Sequence, residues 1–397
     1  MSAVAACASV ASESFAEPAA KVQASKKDGA AEQGANREAA NPDRTGLVWT
    51  GTVGDLPITA CFLDRETSDG AYYYHAHLKP LRLVQIDKGA PAVLTEIEGF
   101  NTNTGASWTI ASKGDARLSG TWRMGERELP ITLSAVPVNL PEFGSDCESA
   151  EFVEPLIVGG SVSEKQALFE GVNFTKLDYT PPAHLDIDSY LVGSFALNAG
   201  RPGDEAINRT LAKALPDGTV THHMGQCVGM SIGTGQLGYF NETLSPVLIS
   251  DEWLGIDRTG STYCGGAHPS HFLSLEAYNR SSGQQVDPSR WFKPGTLIFY
   301  EFESDLEGET TRPIAGLTER LMNAVLAHWP DQEGGPGCAE FAREGTGWDL
   351  GLEREGVAFV RQFPHVIFSC TAVITVPWSQ LEPFLSDEGV SVRESLR

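Results

Sequence analysis

The chain has 397 residues, of which 41% are hydrophobic, and its 52 acidic and 29 basic residues give a formal net charge of −23. This length and composition predict two or three domains with cores of their own. The acidic excess argues against nucleic acid as a partner, because phosphate binding needs clustered Lys and Arg, and it favours cationic partners. The sequence contains no run of about 18 apolar residues and therefore predicts no transmembrane helix. We expect membrane contact only through a lipid anchor.

Residues 1–45 are rich in Ala, Ser, Glu, Lys and Gln, which predicts a disordered tether. Within it, residues 4–7 read Val-Ala-Ala-Cys and resemble the lipobox of bacterial lipoproteins, whose cysteine is lipidated after cleavage. We therefore expect that the true start lies upstream of Met1 and that Cys7 carries a lipid. The protein would then reside in the periplasm or at the outer membrane. The alternative is a cytosolic Ala-rich tail with a chance cysteine.

The other six cysteines also favour export, because disulfides persist in oxidising compartments. Six is an even number, which allows three bridges while leaving several connectivities open. If the cysteines pair by domain, the simplest choice is Cys61 with Cys147, Cys227 with Cys264, and Cys338 with Cys370. No C-x-x-C spacing occurs, so we do not expect cysteine to bind zinc.

Residues 46–138 predict an all-β domain, either a small barrel or a sandwich. Short strand-like segments follow one another at even spacing, separated by Gly- and Asn-rich turns. These segments are residues 47–54, 56–62, 70–75, 81–84, 92–96, 106–110, 118–122 and 129–133. Strand alternation predicts that Tyr73 faces away from Tyr72 and Tyr74. Exposed tyrosines could bind a glycan, but cross-strand packing is the simpler use of these rings.

Residues 139–151 read as a linker, and residues 152–397 predict a mixed α+β domain. Apolar side chains recur at helical spacing in the segments 202–215 and 316–329, and a short helix is predicted at 378–385. The predicted strands are 236–240 paired with 244–249, followed by 348–352, 356–363 and 366–376. The fold class is therefore α+β, with an all-β domain at its N-terminal side.

The segment from Tyr263 to His271 contains an aromatic residue, a cysteine, a glycine pair and two histidines. It predicts a tight turn that leads into a strand, because Gly265 and Gly266 can adopt positive φ. Its Y-C-G-G-A-H sequence resembles the Y-x-G-G-A-H signature of a bacterial extracytoplasmic domain of unknown function. That domain is the C-terminal part of RsiV-type anti-sigma factors, which bind lysozyme, and it accompanies some peptidoglycan deacetylases.

Three further segments resemble that family in the same order, so that the resemblance covers about residues 235–390. They are residues 282–292, 356–359 and 376–385. Cys264 departs from the usual Thr, and residues 334–348 carry an inserted loop. Because no transmembrane or sigma-binding segment is present in this sequence, the resemblance implies extracytoplasmic binding and not the anti-sigma role.

Residues 229–233 match G-x-S-x-G, the nucleophile elbow of serine hydrolases. The elbow requires a strand before Ser231 and a helix after it, with an acid and then a histidine later in the chain. The segment that follows is too rich in glycine to begin a helix. We therefore predict a turn between strands and no serine-hydrolase chemistry. The carboxylates show no pair whose spacing indicates a general acid/base dyad, so we name no catalytic residue and expect no cofactor.

His268 and His271, together with His222 and His223, could form a zinc site completed by a carboxylate such as Glu276 or Asp257. On a strand, however, His268 and His271 would point to opposite faces unless the residues between them turn. The structural alternative is that His268 caps the Gly-Gly turn by hydrogen bonding, with Tyr263 packed below it.

Residues 253–260 read as an exposed loop, and exposed Trp253 and Arg258 would be typical of a binding hot spot; the alternative is a buried Trp253. The leading function is non-catalytic binding at the cell envelope of a cationic protein such as lysozyme or of a peptidoglycan fragment. The expected binding residues are Tyr263, His268, His271, Trp253 and Arg258. One alternative is a metal-dependent envelope hydrolase using His268 and His271, and another is a purely structural envelope lipoprotein.

Overall fold

A computed structural model of the protein describes residues 45–63, 69–87, 91–99, 101–140, 144–232, 238–300, 314–330, 337–345 and 347–396. Cys7 and the predicted tether up to residue 44 lie outside these ranges, as do parts of several loops. Among the described helices, none combines the length and the apolar character needed to cross a membrane.

The N-terminal part is a closed barrel of eight antiparallel strands that follow one another in chain order. The strands are β1 (Thr45–Val53), β2 (Leu56–Phe62), β3 (Gly70–Tyr74), β4 (Leu81–Asp87), β5 (Ala92–Glu98), β6 (Thr102–Lys113), β7 (Arg117–Met124) and β8 (Arg127–Asn139). Strand β1 pairs with both β2 and β8, which closes the sheet on itself. The prediction of an all-β N-terminal domain is confirmed, and of the two architectures proposed the barrel is the one observed.

The consecutive tyrosines of β3 separate the barrel interior from its outer wall. Tyr72 is buried inside, with its ring 4.8 Å from that of Trp108 and 5.4 Å from that of Tyr74. Tyr73 points outward, where its ring lies 5.1 Å from Phe152 and its hydroxyl donates a hydrogen bond of 3.1 Å to the Phe152 carbonyl. The predicted alternation is confirmed, and Tyr72 and Tyr73 serve packing, because each is almost fully buried.

The outer wall of the barrel packs against the first helix of the following domain, α1 (Ala150–Ile157). The apolar side chains of this junction form one buried cluster that includes Val48, Ala71 and Val138 of the barrel. A disulfide between Cys61 of β2 and Cys147, just before α1, fastens the same junction. Residues Asp43–Arg397 accordingly form one compact unit.

The second part contains two sheets. The first has seven strands in the order β15-β14-β13-β12-β11-β10-β9, and all its neighbours are antiparallel except β11 and β12. Its strands are β9 (Ser161–Phe169), β10 (Val172–Thr180), β11 (Val192–Leu197), β12 (Tyr239–Ile249), β13 (Trp253–Tyr263), β14 (Ser270–Asn279) and β15 (Gln284–Val286). The second sheet is an antiparallel meander of β16 (Leu297–Tyr300), β17 (Ile314–Leu317), β18 (Trp348–Leu352), β19 (Gly356–Arg361) and β20 (Val373–Pro377).

The helices of this part lie between and around the sheets. They are α2 (Asp204–Ala212), α3 (His223–Ile232), α4 (Glu319–Leu326), α5 (Gly337–Glu344), α6 (Trp378–Leu381) and α7 (Asp387–Ser395). Helix α2 buries Ile207 and Leu211 on one face of the seven-stranded sheet. On the opposite face, Leu275 of β14 packs against Ala358 and Val360 of the five-stranded sheet. The mixed α+β class is therefore confirmed.

Several predicted elements have different boundaries or a different nature. The predicted strands 236–240 and 244–249 belong to one strand, β12, which begins at Tyr239, because the residues between them continue the pairing with β13; residues 236 and 237 lie outside the described ranges. The predicted helix 316–329 begins only at Glu319, because Gly316 and Leu317 complete the pairing of β17 with β16. The predicted strand 366–376 begins with a 3-10 helix, His365–Cys370, and becomes extended only in β20.

All three predicted disulfide pairings are confirmed. Besides Cys61–Cys147, the structure contains Cys227–Cys264, which joins α3 to the loop between β13 and β14, and Cys338–Cys370, which joins α5 to the 3-10 helix after β19. Three bridges within the described part of the chain are typical of proteins that fold in an oxidising compartment.

Candidate functional site

The segment from Tyr263 to His271 is the tip of the β13–β14 hairpin. Gly265 and Gly266 have φ values of +92° and +95°, which confirms the tight turn and explains the glycine pair. The Tyr263 hydroxyl donates a hydrogen bond of 3.0 Å to the Gly266 carbonyl, and the ring of Tyr239 stacks on that of Tyr263. The expectation that His268 caps the turn is wrong, because its Nδ1 lies 2.9 Å from the Pro269 carbonyl and Tyr263 closes the turn instead.

His268 and His271 come together around a third histidine that the sequence did not indicate. The ring centroid of His365 lies 5.3 Å from that of His268 and 5.0 Å from that of His271, with interplanar angles of 0° and 9°. His268 precedes β14, which begins at Ser270, so the two histidines are not held on opposite faces of one strand, and both reach the 3-10 helix that begins at His365. Phe368 extends the cluster by stacking on His271.

The parallel arrangement of these rings does not suit a metal ion. Imidazole lone pairs lie in the ring plane, so they must point toward one centre for the nitrogens to bind the same ion. Stacked rings lie in separate parallel planes, so their lone pairs do not point toward a common centre. Within the described residues, no group of three His, Cys, Asp or Glu side chains is arranged to hold a metal.

Trp253 and Arg258, predicted to lie on an exposed loop, belong to strand β13. Trp253 is buried, its Nε1 donates a hydrogen bond of 2.8 Å to Ser395 Oγ, and its ring packs edge-on against Trp291. This side chain holds the C-terminal helix and is not an exposed hot spot. The loop prediction failed because β13 is paired with β12 from Leu254 to Tyr263 and with β14 from Trp253 to Thr262.

Arg258 is half-buried and lies between two carboxylates. Its Nη1 is 3.2 Å from Glu242 Oε1, and its Nε is 3.3 Å from Glu276 Oε1. The strand register produces this arrangement. Residues directly opposite in a sheet share a face, and so do residues two apart along a strand. Glu242 of β12 is opposite Gly260, and Glu276 of β14 is opposite Ile256, so all three charged side chains lie on one face.

We call Glu242, Arg258 and Glu276 the carboxylate–arginine cluster. The Glu242 side chain is only 4% exposed, whereas those of Glu276 and Arg258 are 15% and 29% exposed. Burial raises the pKa of Glu242 above its usual value, while Arg258 and His223 act in the opposite direction. The Tyr278 hydroxyl donates a hydrogen bond of 2.6 Å to Glu276 Oε2 and fixes that carboxylate. With both carboxylates ionised, the cluster carries one net negative charge at a partly open position.

Asp257, a second carboxylate considered as a metal ligand, lies on the opposite face of β13 from Arg258. Burial raises its pKa to about 6, and the nearby Glu353 adds to this effect. Its Oδ1 is buried and accepts no hydrogen bond from the described residues. Strand alternation thus places Asp257 and Glu276 on opposite faces of the sheet, and within the described residues neither belongs to a group of three side chains that could hold a metal.

Ser231 lies in the last turn of α3 and not in a turn between strands, which corrects the prediction for the G-x-S-x-G segment. It is fully buried, and its Oγ donates a hydrogen bond of 2.9 Å to the Val228 carbonyl. Gly225 and Gly229 lie where neighbouring segments pack closely against this helix. A Cβ at Gly225 would collide with the Thr219 carbonyl, and one at Gly229 would touch Glu148. A buried serine inside a helix has none of the geometry of a nucleophile elbow.

Comparisons with known proteins give little similarity. No protein-family model matches the chain, and no curated protein matches it. Among solved structures, a member of the DUF3298 family from Bacteroides fragilis is 10% identical with a TM-score of 0.37, over 60% of this chain and 96% of that chain. A DUF3298 family protein from Pseudomonas aeruginosa PAO1 is 12% identical with a TM-score of 0.30, over 58% and 94%. Similarity this low carries no conclusion about function, and the RsiV-type resemblance stays a prediction.

Proposed function

We propose that the protein is a non-catalytic binding protein of the cell envelope and that the carboxylate–arginine cluster binds a basic side chain of a cationic protein. The observation that carries this proposal is the pair Glu242 and Glu276, which already holds one guanidinium, that of Arg258, at 3.2 and 3.3 Å. A site built to hold one cation can exchange it for another of the same geometry, because carboxylates bind guanidinium groups with defined orientation.

The charge of the whole chain supports the same ligand class. A net charge of −23 produces a long-range field that steers basic proteins toward the surface and raises their association rate at low salt. The three disulfides support a location outside the cytoplasm. The lipobox-like segment supports attachment to a membrane through Cys7, and radiolabelled palmitate should be incorporated into the wild type and not into Cys7→Ser.

Binding of a basic lysozyme tests the proposal directly. Isothermal titration should show binding at about 20 mM salt that weakens strongly at about 150 mM, because screening shortens the reach of surface charges. Glu276→Gln should lower the affinity about five- to tenfold, since it removes one carboxylate of the cluster while keeping an acceptor for Tyr278.

The matched control is Glu170→Gln. Glu170 is an exposed carboxylate that pairs with Arg354 at 2.8 Å, and it lies in the turn between β9 and β10, outside the cluster. Both variants remove one negative charge, so a difference between their affinities for lysozyme reports the cluster itself and not the overall charge. Equal losses of affinity, or no lysozyme binding to the folded wild type at low salt, would contradict the proposal.

A titration with a soluble muropeptide distinguishes a peptidoglycan fragment from a cationic protein as the ligand. Binding of the muropeptide without lysozyme would favour a wall fragment, and binding of neither would favour the purely structural lipoprotein. The metal-dependent hydrolase would require His268 and His271 to converge on one ion, which their stacking on His365 opposes. Stoichiometric zinc in protein purified without a tag, together with turnover of peptidoglycan, would revive it.

A further inference from the structure

An aromatic ring lies next to the carboxylate–arginine cluster, on the same face of the seven-stranded sheet. Phe272 of β14 is opposite Gly260 of β13, and Gly260 is opposite Glu242 of β12. Residues opposite one another in a sheet share a face, so these three residues form one row across the sheet. Arg258 lies two residues from Gly260 along β13 and therefore belongs to the next row on that face. Phe272 is thus separated from Glu242 by a single strand.

The missing side chain of Gly260 lets the ring of Phe272 extend across β13. A Cβ at Gly260 would lie only 2.1 Å from Phe272 Cζ and 2.7 Å from Cε1, so the ring occupies the space that the side chain of another residue would need. Because adjacent strands are about 4.8 Å apart, the ring over Gly260 lies about one strand spacing from the backbone of Glu242. The glycine therefore brings an aromatic surface toward the carboxylates.

The Phe272 ring is partly exposed and is not occupied by a cation of the protein. A lysine or arginine lies within 6.0 Å of four other rings, those of Phe62, Trp122, Phe363 and Phe384. Among the described residues, no lysine or arginine lies over Phe272 in this way. Its neighbours on the same face of β14 are Ser270 and Ser274, whose side chains are small. An incoming cation therefore finds this ring vacant.

We propose that Phe272 is the aromatic wall of the cationic-protein site and makes that site selective for arginine over lysine. This selectivity rests on the proposed function and names the side chain that the partner inserts. A guanidinium is planar, so its face can lie on the Phe272 ring while its N–H edge binds the carboxylates of Glu242 and Glu276, which already hold the guanidinium of Arg258. A lysine ammonium is a compact, strongly hydrated charge without such a face and edge.

Hepta-arginine and hepta-lysine, two peptides of equal charge, test the selectivity by isothermal titration with the full chain at about 20 mM salt. The wild type should bind hepta-arginine more tightly than hepta-lysine. Phe272→Leu should weaken the binding of hepta-arginine about threefold to tenfold and change that of hepta-lysine less than about twofold, because only the guanidinium stacks on the ring. Phe272→Tyr keeps the aromatic face and should retain the preference for arginine.

The matched control is Phe341→Leu. Phe341 is a phenylalanine that is 50% exposed, and it lies on α5, outside the seven-stranded sheet. This variant should bind both peptides like the wild type, with the folding of every variant checked by circular dichroism. Unchanged binding of hepta-arginine to Phe272→Leu would overturn the proposal. A parallel loss of affinity for both peptides would overturn it as well, because a merely structural role of the ring would have that effect.

The same titrations separate this selectivity from the proposed function. If Glu276→Gln weakens lysozyme binding while Phe272→Leu keeps the full preference for hepta-arginine, the carboxylates bind the partner without the aromatic wall, and only the selectivity is wrong. If the folded wild type binds neither lysozyme nor either peptide, both are wrong.

Discussion

The barrel and the seven-stranded sheet each bury a glutamate, but they surround it differently. Glu96 inside the barrel is 5% exposed, and its Oε2 accepts hydrogen bonds from the Tyr72 hydroxyl and from Trp122 Nε1. Glu242 on the sheet, counted as a whole residue, is 3% exposed and faces Arg258, with Glu276 and His223 nearby. Neutral aromatic donors enclose the first carboxylate, whereas charged groups at a half-open position surround the second.

Under the binding proposal, this difference distinguishes a carboxylate that stabilises the fold from one that binds a ligand. A buried polar group with fixed neutral donors stabilises one packing of the core and offers nothing to an outside ligand. A buried carboxylate that shares a guanidinium with a second, more exposed carboxylate retains charge that another cation can use. Substitutions should therefore lower stability in the barrel and lower binding on the sheet.

The largest effect is expected for Glu96→Ala. Removing this carboxylate leaves the Tyr72 and Trp122 donors buried without their acceptor and opens space in the barrel core. The free energy of unfolding should fall by about 2–4 kcal/mol, measured by urea denaturation. Glu128→Ala, which removes an exposed barrel carboxylate paired with Arg123, is the control and should cost less than about 1 kcal/mol. Equal costs would show that Glu96 is not a structural carboxylate.

Asp257→Asn should have a smaller effect of opposite sign. Burial raises the folded-state pKa of Asp257 to about 6, from the ordinary value of 3.8. The folded state therefore binds this proton more tightly than the unfolded state, so its contribution to stability is lost as the pH rises through about 6. Above that pH, the charged carboxylate destabilises the fold by about 1–2 kcal/mol after allowance for partial exposure.

The substitution to Asn removes this penalty. We expect Asp257→Asn to stabilise the protein at pH 7.5 and to have little effect near pH 3.5, where both states of the wild type are mostly protonated. Urea denaturation at the two pH values measures the difference. Equal stabilisation at both would mean that the gain does not come from removing a buried charge.

The smallest change in stability is expected for Glu276→Gln. The glutamine keeps an oxygen for the Tyr278 hydroxyl, and the side chain is partly open to water. The free energy of unfolding should change by less than about 1 kcal/mol, even though lysozyme binding weakens. A large loss of stability here would place Glu276 with Glu96 among the structural carboxylates.

The sequence predicted those features that depend on local pattern. Regular alternation revealed the barrel and the two faces of Tyr72 and Tyr73. Pairing each cysteine with the next one along the chain identified the disulfides, although Cys61–Cys147 joins the barrel to the second part and does not close within one domain. Arg258 was named as a binding residue, but its partners were not, because Glu242 and Glu276 lie on other strands and only the register of β12, β13 and β14 brings them to it.

Other features depended on contacts between distant segments. His365 belongs to the segment after β19, so nothing near His268 and His271 in sequence indicates it. The glycines around Ser231 suggested a turn, yet they serve the close approach of α3 to Thr219 and Glu148. A cleft at the junction is lined by the barrel residues Lys79, Pro80, Glu98, Gly99 and Thr102 together with residues from the segment 184–190, and no single motif marks it.

The most direct test of the cationic-protein site is the affinity of Arg258→Gln for lysozyme at low salt. In the wild type, the guanidinium of Arg258 occupies the two carboxylates that a partner's basic side chain would use. The account predicts that this variant binds lysozyme more tightly than the wild type, with folding checked by circular dichroism. Weaker binding by the folded variant would show that Arg258 itself contacts the partner and would contradict the account.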